Sequence, residues 1–366
     1  MKAVVIDNGS QLTKIGLSTD TKPTQIFPTI VGRASSPEAA EKAANVSGHQ
    51  KRSEYIGAQA WPLEEYLTFN HPVEKGDITD WDDLQLIWDH IYQWSLGVES
   101  SEYPVVLTEE SLDKNQTFNR ERIAQIFFEK YSVPSLYVGS PAYFDLIYSE
   151  KPTGIVVDSG DEITQIIPFV DYHPIVENMI KFPFGGKQLT QCLESLLNKR
   201  GIMFQTHDDR EALSDIKKTL CYVASDFTAE IAKIQQSPYT TYTMPNGREI
   251  QVFDEACRCG ELLFVPETDD ISLPGIHHAL INVIKKCGDE NSQKKLYENI
   301  VLAGGTTMLK GLPERLQREV KEFGPITANV SVFASPDRIT GAWNGAAKYA
   351  NEDNFGQLAI SSSEYK

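Results

Sequence analysis

The sequence predicts an α/β protein assembled from two related halves, and three observations predict it. The first is an internal repeat. Val4-Val5-Ile6-Asp7-Asn8-Gly9-Ser10-Gln11-Leu12-Thr13-Lys14-Ile15 is echoed by Val156-Val157-Asp158-Ser159-Gly160-Asp161-Glu162-Ile163-Thr164-Gln165-Ile166, with Asp7 and Asp158 lying 151 positions apart. Two apolar strands that each end in D-x-G, with matched flanks, suggest a duplicated domain. The second is a set of further glycine turns near apolar segments, Phe184-Gly185-Gly186-Lys187 and, after the strand 299–303, Gly304-Gly305-Thr306-Thr307-Met308. The third is size. At ~150 residues per domain, 366 residues allow two or three domains.

Taken in order, the chain opens with the apolar run Ala3 to Ile6, a polar turn, and renewed alternation through Leu12, Lys14, Ile15 and Leu17, which reads as a β-hairpin. Residues 34–54 are Ala, Ser, Glu and Lys with one Val, and read as an exposed flexible loop. Helical periodicity appears at 81–97 through Trp81, Leu84, Ile87, Trp88, Ile91 and Tyr92, with Thr79 or Asp80 as N-cap. It returns at 119–131 through Ile123, Ile126 and Phe127, with Asn119 as N-cap. After Met308 a helical pattern runs through Leu312, Leu316 and Val320.

Composition excludes several classes. Hydrophobic residues make up 41% and charged residues 23%, which rules out wholesale disorder and fibrous repeats. The net charge is −17, with no Lys/Arg run longer than two, so a nucleic-acid backbone or an anionic membrane is not an expected partner. No stretch approaches the about 18 apolar residues of a membrane span, and Asp7 falls too early for a signal peptide. The five cysteines are scattered. Only Cys257 and Cys259 are close, without a second pair to complete a zinc set, which fits reduced thiols in a cytoplasmic or nuclear protein.

The repeat carries a specific chemistry. Glycine lets successive N–H groups crowd toward one point, an anion-binding nest. The leading Asp at each strand end suits a hydrated divalent cation. Two such hairpins facing each other would clamp a polyphosphate and its metal. Strand, Gly-Gly and a helix N-terminus at 299–320 add a phosphate or nucleoside site by the helix-dipole argument.

The stretches Asp7-Asn8-Gly9-Ser10, Phe27-Pro28-Thr29-Ile30-Val31-Gly32-Arg33, Trp81-Asp82-Asp83, Val106-Leu107-Thr108-Glu109, Thr153-Gly154-Ile155-Val156-Val157-Asp158-Ser159-Gly160-Asp161, Asp215-Ile216-Lys217, Leu220-Cys221-Tyr222-Val223-Ala224, Gly275-Ile276-His277 and Gly304-Gly305-Thr306-Thr307-Met308 follow one another in the order and wording of the actin family, which the chain resembles over nearly its whole length. The resemblance implies a duplicated ribonuclease-H-like fold, shared with sugar kinases, with two lobes around a nucleotide cleft. One half would be 1–144 plus 340–366 with a small lobe at 34–69, the other 145–339 with a small lobe at 185–273. The implied ligands are ATP or ADP with Mg2+ or Ca2+. Ser10, Gln11, Leu12 and Lys14 would line the β-phosphate, and Asp161, Glu162 and Ile163 the γ-phosphate. Asp7 and Asp158 would hold the metal through water. Gly186, Lys217, Lys218, Gly305, Thr306, Met308 and Leu309 would surround the nucleoside.

The departures point to a divergent actin-related protein rather than a conventional actin. Gln11 and Glu162 replace family glycines, Lys218 stands where an acid holds the ribose, Leu309 where an aromatic ring sits near the base, and Ile339 where a Lys is usual. Each of the last three removes a partner, so weaker ATP binding is expected. Pro141 and Gln165 stand where the family has a water-positioning Gln and a His, so little or no hydrolysis is expected. The polar segment between Arg33 and Tyr55 and the acidic Glu267-Thr268-Asp269-Asp270-Ile271 replace apolar filament contacts. The expected role is therefore a pseudo-ATPase-like structural subunit of a chromatin remodeller or a dynactin-like or other cytoskeletal assembly. Its partners would be other protein subunits, among them actin or another actin-related protein. A filament-forming cytoskeletal ATPase and a phosphotransferase of the same superfamily are the alternatives.

Overall fold

The structure is a computed structural model that describes residues 2–48, 52–110, 112, 116–235, 239–266, 274–326 and 328–365. The chain divides into two units, Met1–Glu150 with Thr340–Lys366, and Lys151–Ile339.

The first unit is built on strands β1 (Val4–Asn8), β2 (Leu12–Leu17), β3 (Gln25–Pro28), β4 (Val105–Thr108) and β5 (Ser135–Gly139). Their order is β5-β4-β1-β2-β3, with the short strand Ile360–Ser361 beyond β5. β1 runs antiparallel to β2 and parallel to β4. Alternation along β1 explains why both faces are covered. Val4 and Ile6 enter one core with Ile15, Trp88 and Phe127, whereas Ala3 and Val5 enter another with Phe144 and Trp343. Trp343 donates its indole N–H to Val5 O at 3.2 Å. The helix Gly341–Ala350 comes so close to the helix Pro141–Tyr148 that a Cβ on Gly345 would lie 1.9 Å from Phe144 O, so only glycine fits there.

The second unit repeats this plan with β6 (Gly154–Ser159), β7 (Thr164–Val170), β8 (Ile180–Phe182), β9 (Ile300–Ala303) and β10 (Val332–Phe333). β6 pairs antiparallel with β7 and parallel with β9, β8 pairs with β7, and β10 with β9. Register matches as well: Asp7 faces Lys14 and Asn8 faces Thr13, as Asp158 faces Gln165 and Ser159 faces Thr164. Helices Gly186–Asn198 and His207–Leu220 and the hairpin of Thr240–Thr243 with Glu249–Val252 add to the unit's core through Leu189, Leu193, Leu213, Ile216 and Ile250.

Three local expectations are corrected. Residues 34–54 are not one loop: Pro37–Ser47 is a helix, and Glu54–Ile56 is a strand beside Val31–Ala34. The N-cap Ser36 accepts from Ala39 N at 3.1 Å, with Pro37 at the first position and Gly48 at φ 67 after the end. The helix buries only Ala40 and Ala43, so no stripe of large apolar residues marked it. Asn119 is not an N-cap. The helix is Gln116–Gln125, and Asn119 lies buried inside it, donating to Glu109 Oε1 at 3.0 Å. The helix after β9 starts at Leu312, behind a 3₁₀ turn at Gly305–Met308, so its dipole does not open at Gly304-Gly305. At the helix Trp81–His90, Asp80 rather than Thr79 caps, accepting from Asp83 N at 2.9 Å. Glu267 to Ile271 lie outside the described residues.

Among the described residues no helix is long and apolar enough to cross a membrane, and no group of three or more His, Cys, Asp or Glu is placed to hold a metal. The five cysteines form no disulfide.

The second unit also holds a buried charge network. Arg315 donates to both oxygens of Glu261 at 3.0 Å, to Glu319 Oε1 at 2.5 Å and to Ala224 O at 2.8 Å, with its guanidinium 4.7 Å from the Phe264 ring centroid. Arg315→Met would strand the Glu261 carboxylate and leave Glu319 to Arg318 alone, and should cost about 3–5 kcal/mol in urea unfolding. Adding Glu261→Leu and Glu319→Leu should recover much of that loss.

His277 is 6% exposed beside Phe264, His278 and Phe323, and its Nδ1 is buried without a partner among the described residues. Burial, then the neighbouring His278, pushes its pKa down to about 4, while Glu319 opposes and Arg315 adds. The unfolded chain therefore binds this proton first, and stability present above pH ~6.5 is lost as pH falls toward 4. A loss on the order of 2 kcal/mol is expected across that window, and His277→Gln should flatten this part of the stability–pH curve.

Candidate functional site

The first turn joins β1 to β2. Gly9 N donates to Leu12 O at 3.0 Å and closes the turn. The turn's carbonyls are held from one side: Thr29 donates its N–H to Gln11 O at 2.9 Å and its hydroxyl to Gly9 O at 2.8 Å. The N–H groups of Ser10 and Gln11 have no acceptor among the described residues. Behind them stands Asp7, only 4% exposed, accepting from Lys14 Nζ and from Thr108 Oγ1, each at 2.7 Å. Asn8 is fixed through its amide, which donates to Thr13 Oγ1 at 3.0 Å and accepts from Trp88 Nε1 at 3.0 Å. Thr108 and Trp88 are supports that the sequence reading assigned no role. Thr108 ends the strand parallel to β1, which is the signal that could have placed it beside Asp7.

The second turn, between β6 and β7, repeats the geometry. Gly160 N donates to Ile163 O at 2.9 Å, and the N–H groups of Asp161 and Ile163 have no acceptor among the described residues. Gly160 O accepts from Gly186 N at 3.0 Å and from Thr306 Oγ1 at 2.7 Å, and Asp161 O accepts from Lys187 N at 2.8 Å. The first N–H groups of the helix Gly186–Asn198 are therefore engaged by the turn, and Gln188 Oε1 accepts from Gly185 N at 2.8 Å. Phe184-Gly185-Gly186-Lys187 thus braces the turn instead of forming a second phosphate loop.

Lys217 ties the same turn to its surroundings. Its Nζ donates to Gly186 O at 2.8 Å and to Thr190 Oγ1 at 2.7 Å. A Cβ on Gly186 would sit 3.0 Å from Asp161 Oδ1, 3.0 Å from Thr306 Oγ1 and 3.2 Å from Lys217 Nζ, so these groups converge on the glycine. Burial holds the Asp161 carboxyl above the usual carboxylate range, with Lys217 opposing and Glu162 adding. Burial likewise lowers Lys217, with Asp161 opposing. Gly304, at φ 82, brings the Gly304-Gly305 turn against β6, because a Cβ there would meet Ser159 O at 2.3 Å and Asp158 Oδ1 at 2.4 Å.

The remaining expected residues are less uniform. Glu162 Oε1 accepts from Lys187 Nζ at 2.8 Å, so it is an ion-paired carboxylate rather than a free base. Lys218 is exposed, Met308 and Ile339 are each 39% exposed, and Ile339 lies 3.8 Å from a Cβ built on Gly305. Leu309 packs its side chain into the hydrophobic core of the unit, which leaves only its backbone for a ligand. Pro141 is the first residue of its helix, capped by Ser140 Oγ, which accepts from Tyr143 N at 3.2 Å. Gln165 is buried on β7, opposite Asp158 in register. Pro141 and Gln165 belong to different units.

In each unit the donor set suits an anion accompanied by a cation. The two turns present backbone N–H groups, Lys14, Lys187 and Lys217 supply positive charge, and each turn follows a strand carrying a carboxylate, Asp7 or Asp158. The oxygens of Asp7 already accept one hydrogen bond each and retain lone pairs for a metal-bound water.

A duplicated α/β core with one D-x-G turn per unit defines a protein of the actin-like class. The actin family model matches residues 1–366, and the chain belongs to the actin family.

Proposed function

We propose that the chain is a nucleotide-binding actin-related protein that hydrolyses ATP slowly or not at all and serves as a structural subunit of a larger protein assembly in the cytoplasm or nucleus. The nucleotide, ATP or ADP with Mg2+ or Ca2+, would be held by Ser10, Gln11, Leu12 and Lys14 in one unit. In the other, the turn of Asp161, Glu162 and Ile163 would line the terminal phosphate of ATP, and Gly186, Lys217, Gly305 and Thr306 would surround the nucleoside, with Asp7 and Asp158 holding the metal through water. A ligand bound to both units stabilises the folded chain by mass action, which is a sufficient role without turnover. Its partners would be other protein subunits, actin or another actin-related protein among them.

The observation that carries the low-turnover reading is Pro141. In-line attack on a terminal phosphate needs an oriented water. Proline has neither a hydrogen-bonding side chain nor an N–H, and Ser140 holds it as the first residue of a capped helix. Gln165 keeps hydrogen-bonding capacity but takes up no proton near neutral pH. The helix Pro37–Ser47, which stands where the family's filament contact is expected, supports a subunit role over self-assembly.

Two outcomes follow. Mg-ADP or Mg-ATP should raise the melting temperature, and Asp158→Ala should lower it more with nucleotide present than without. Absence of any shift, with no nucleotide co-purifying, would remove the nucleotide from the proposal. In single-turnover assays with γ-labelled ATP at saturation, the wild type should be about 100-fold or more slower than a conventional actin assayed alongside. Pro141→Gln with Gln165→His should gain activity. Wild-type turnover equal to that of actin would overturn the low-turnover reading.

A further inference from the structure

The tips of the two turns differ in charge. Aligned through their glycines, Ser10 and Gln11 in the first correspond to Asp161 and Glu162 in the second. The carboxylate of Asp161 is turned inward, beside Gly186, Thr306 and Lys217. Glu162 is engaged elsewhere: it pairs with Lys187 Nζ at 2.8 Å, with its side chain 14% exposed and that of Lys187 53% exposed. Lys187 is positioned for this from both ends, because its own N–H is bonded to Asp161 O. The turn that carries the unbonded N–H groups of Asp161 and Ile163 thus also carries two acidic side chains, and Lys187 beside it is already engaged by one of them.

A phosphate entering this turn would compete with Glu162 for Lys187 and would stand beside the Glu162 charge. A group carrying up to two negative charges meets repulsion there that a neutral side chain at 162 would not produce. The first turn has no carboxylate at its tip, so a phosphate held there is not opposed in this way.

We propose that Glu162, held by Lys187, makes the second turn disfavour a terminal phosphate, so that the ligand of this chain is a nucleoside diphosphate in preference to the triphosphate. The inference rests on the reading above that this turn receives the terminal phosphate. It assigns Glu162 as a specificity-determining residue and Lys187 as the residue that positions it.

Equilibrium competition against a fluorescent nucleotide, with Mg-ADP and Mg-ATP at constant ionic strength, tests this on the full chain. The wild type should bind ADP about fivefold or more tightly than ATP. Glu162→Gln should strengthen ATP binding about tenfold while ADP changes by less than about twofold, because ADP places no phosphate at this turn. Lys187→Gln, which removes the positive charge paired with Glu162, should weaken ATP further and spare ADP. Melting curves without nucleotide confirm that both variants fold. If both nucleotides bind and Glu162→Gln leaves their ratio unchanged, the selectivity inference fails alone. If neither nucleotide binds the wild type or the variants, the nucleotide reading fails and takes this inference with it.

Discussion

The backbone hydrogen bond from the glycine of each D-x-G turn to the carbonyl three residues on, Gly9 to Leu12 and Gly160 to Ile163, is the constraint on which the rest depends. It closes the hairpin, and beside it the N–H groups of Ser10 and Gln11 in one turn and of Asp161 and Ile163 in the other have no acceptor among the described residues. Their carbonyls must then be held from the other side, by Thr29 in one unit and by Gly186, Lys187 and Thr306 in the other. The closed hairpin also sets the register that places Asp7 opposite Lys14 and Asp158 opposite Gln165. Two turns with one bonding pattern, on two sheets with one strand order, are the physical content of the sequence repeat.

That repeat was legible because a strand–turn–strand unit is local: its alternation, its glycine and its polar tip all fall within about a dozen residues. The helix Pro37–Ser47 was missed because it is marked by Ser36 as cap and Pro37 at the first position, and not by an apolar stripe. Asn119 was misread as a cap because its true partner, Glu109, sits ten residues away at the end of another strand. The site shows the same limit. Asp7 and Asp158 could be named from the turns, and Lys14 and Asp161 from the resemblance, but Thr108 beneath Asp7 and Thr190 beneath Lys217 come from elements that reach the turns only through tertiary pairing. Leu309 was placed by resemblance at the site, while its side chain belongs to the core, since a leucine gains more by burial than by facing a polar ligand.

The charges around the second turn form a graded series. Lys217 is buried and bonded to Gly186 O and Thr190, so its charge is committed to holding the turn's brace in place. Asp161 lies close enough to oppose the lowering of Lys217, and its own carboxyl is raised by burial. Lys187, half exposed, is available to ligand and carboxylate alike. Lys217 therefore maintains geometry, while the Glu162–Lys187 pair has one exposed partner, Lys187.

Pro141 shows how stability and chemistry can pull the same position apart. At the first turn of a helix the N–H is unsatisfied whatever the residue, and proline removes it while fixing φ near the helical value. Ser140 completes the start by accepting from Tyr143 N, and the helix then meets the helix Gly341–Ala350 at Gly345, where backbone approaches backbone with no room for a side chain. A start of this quality holds the helix firmly in that contact. The same residue has nothing with which to orient a water. Under the function proposed above, a chain that keeps both D-x-G turns yet starts this helix with proline would hold its ligand rather than turn it over.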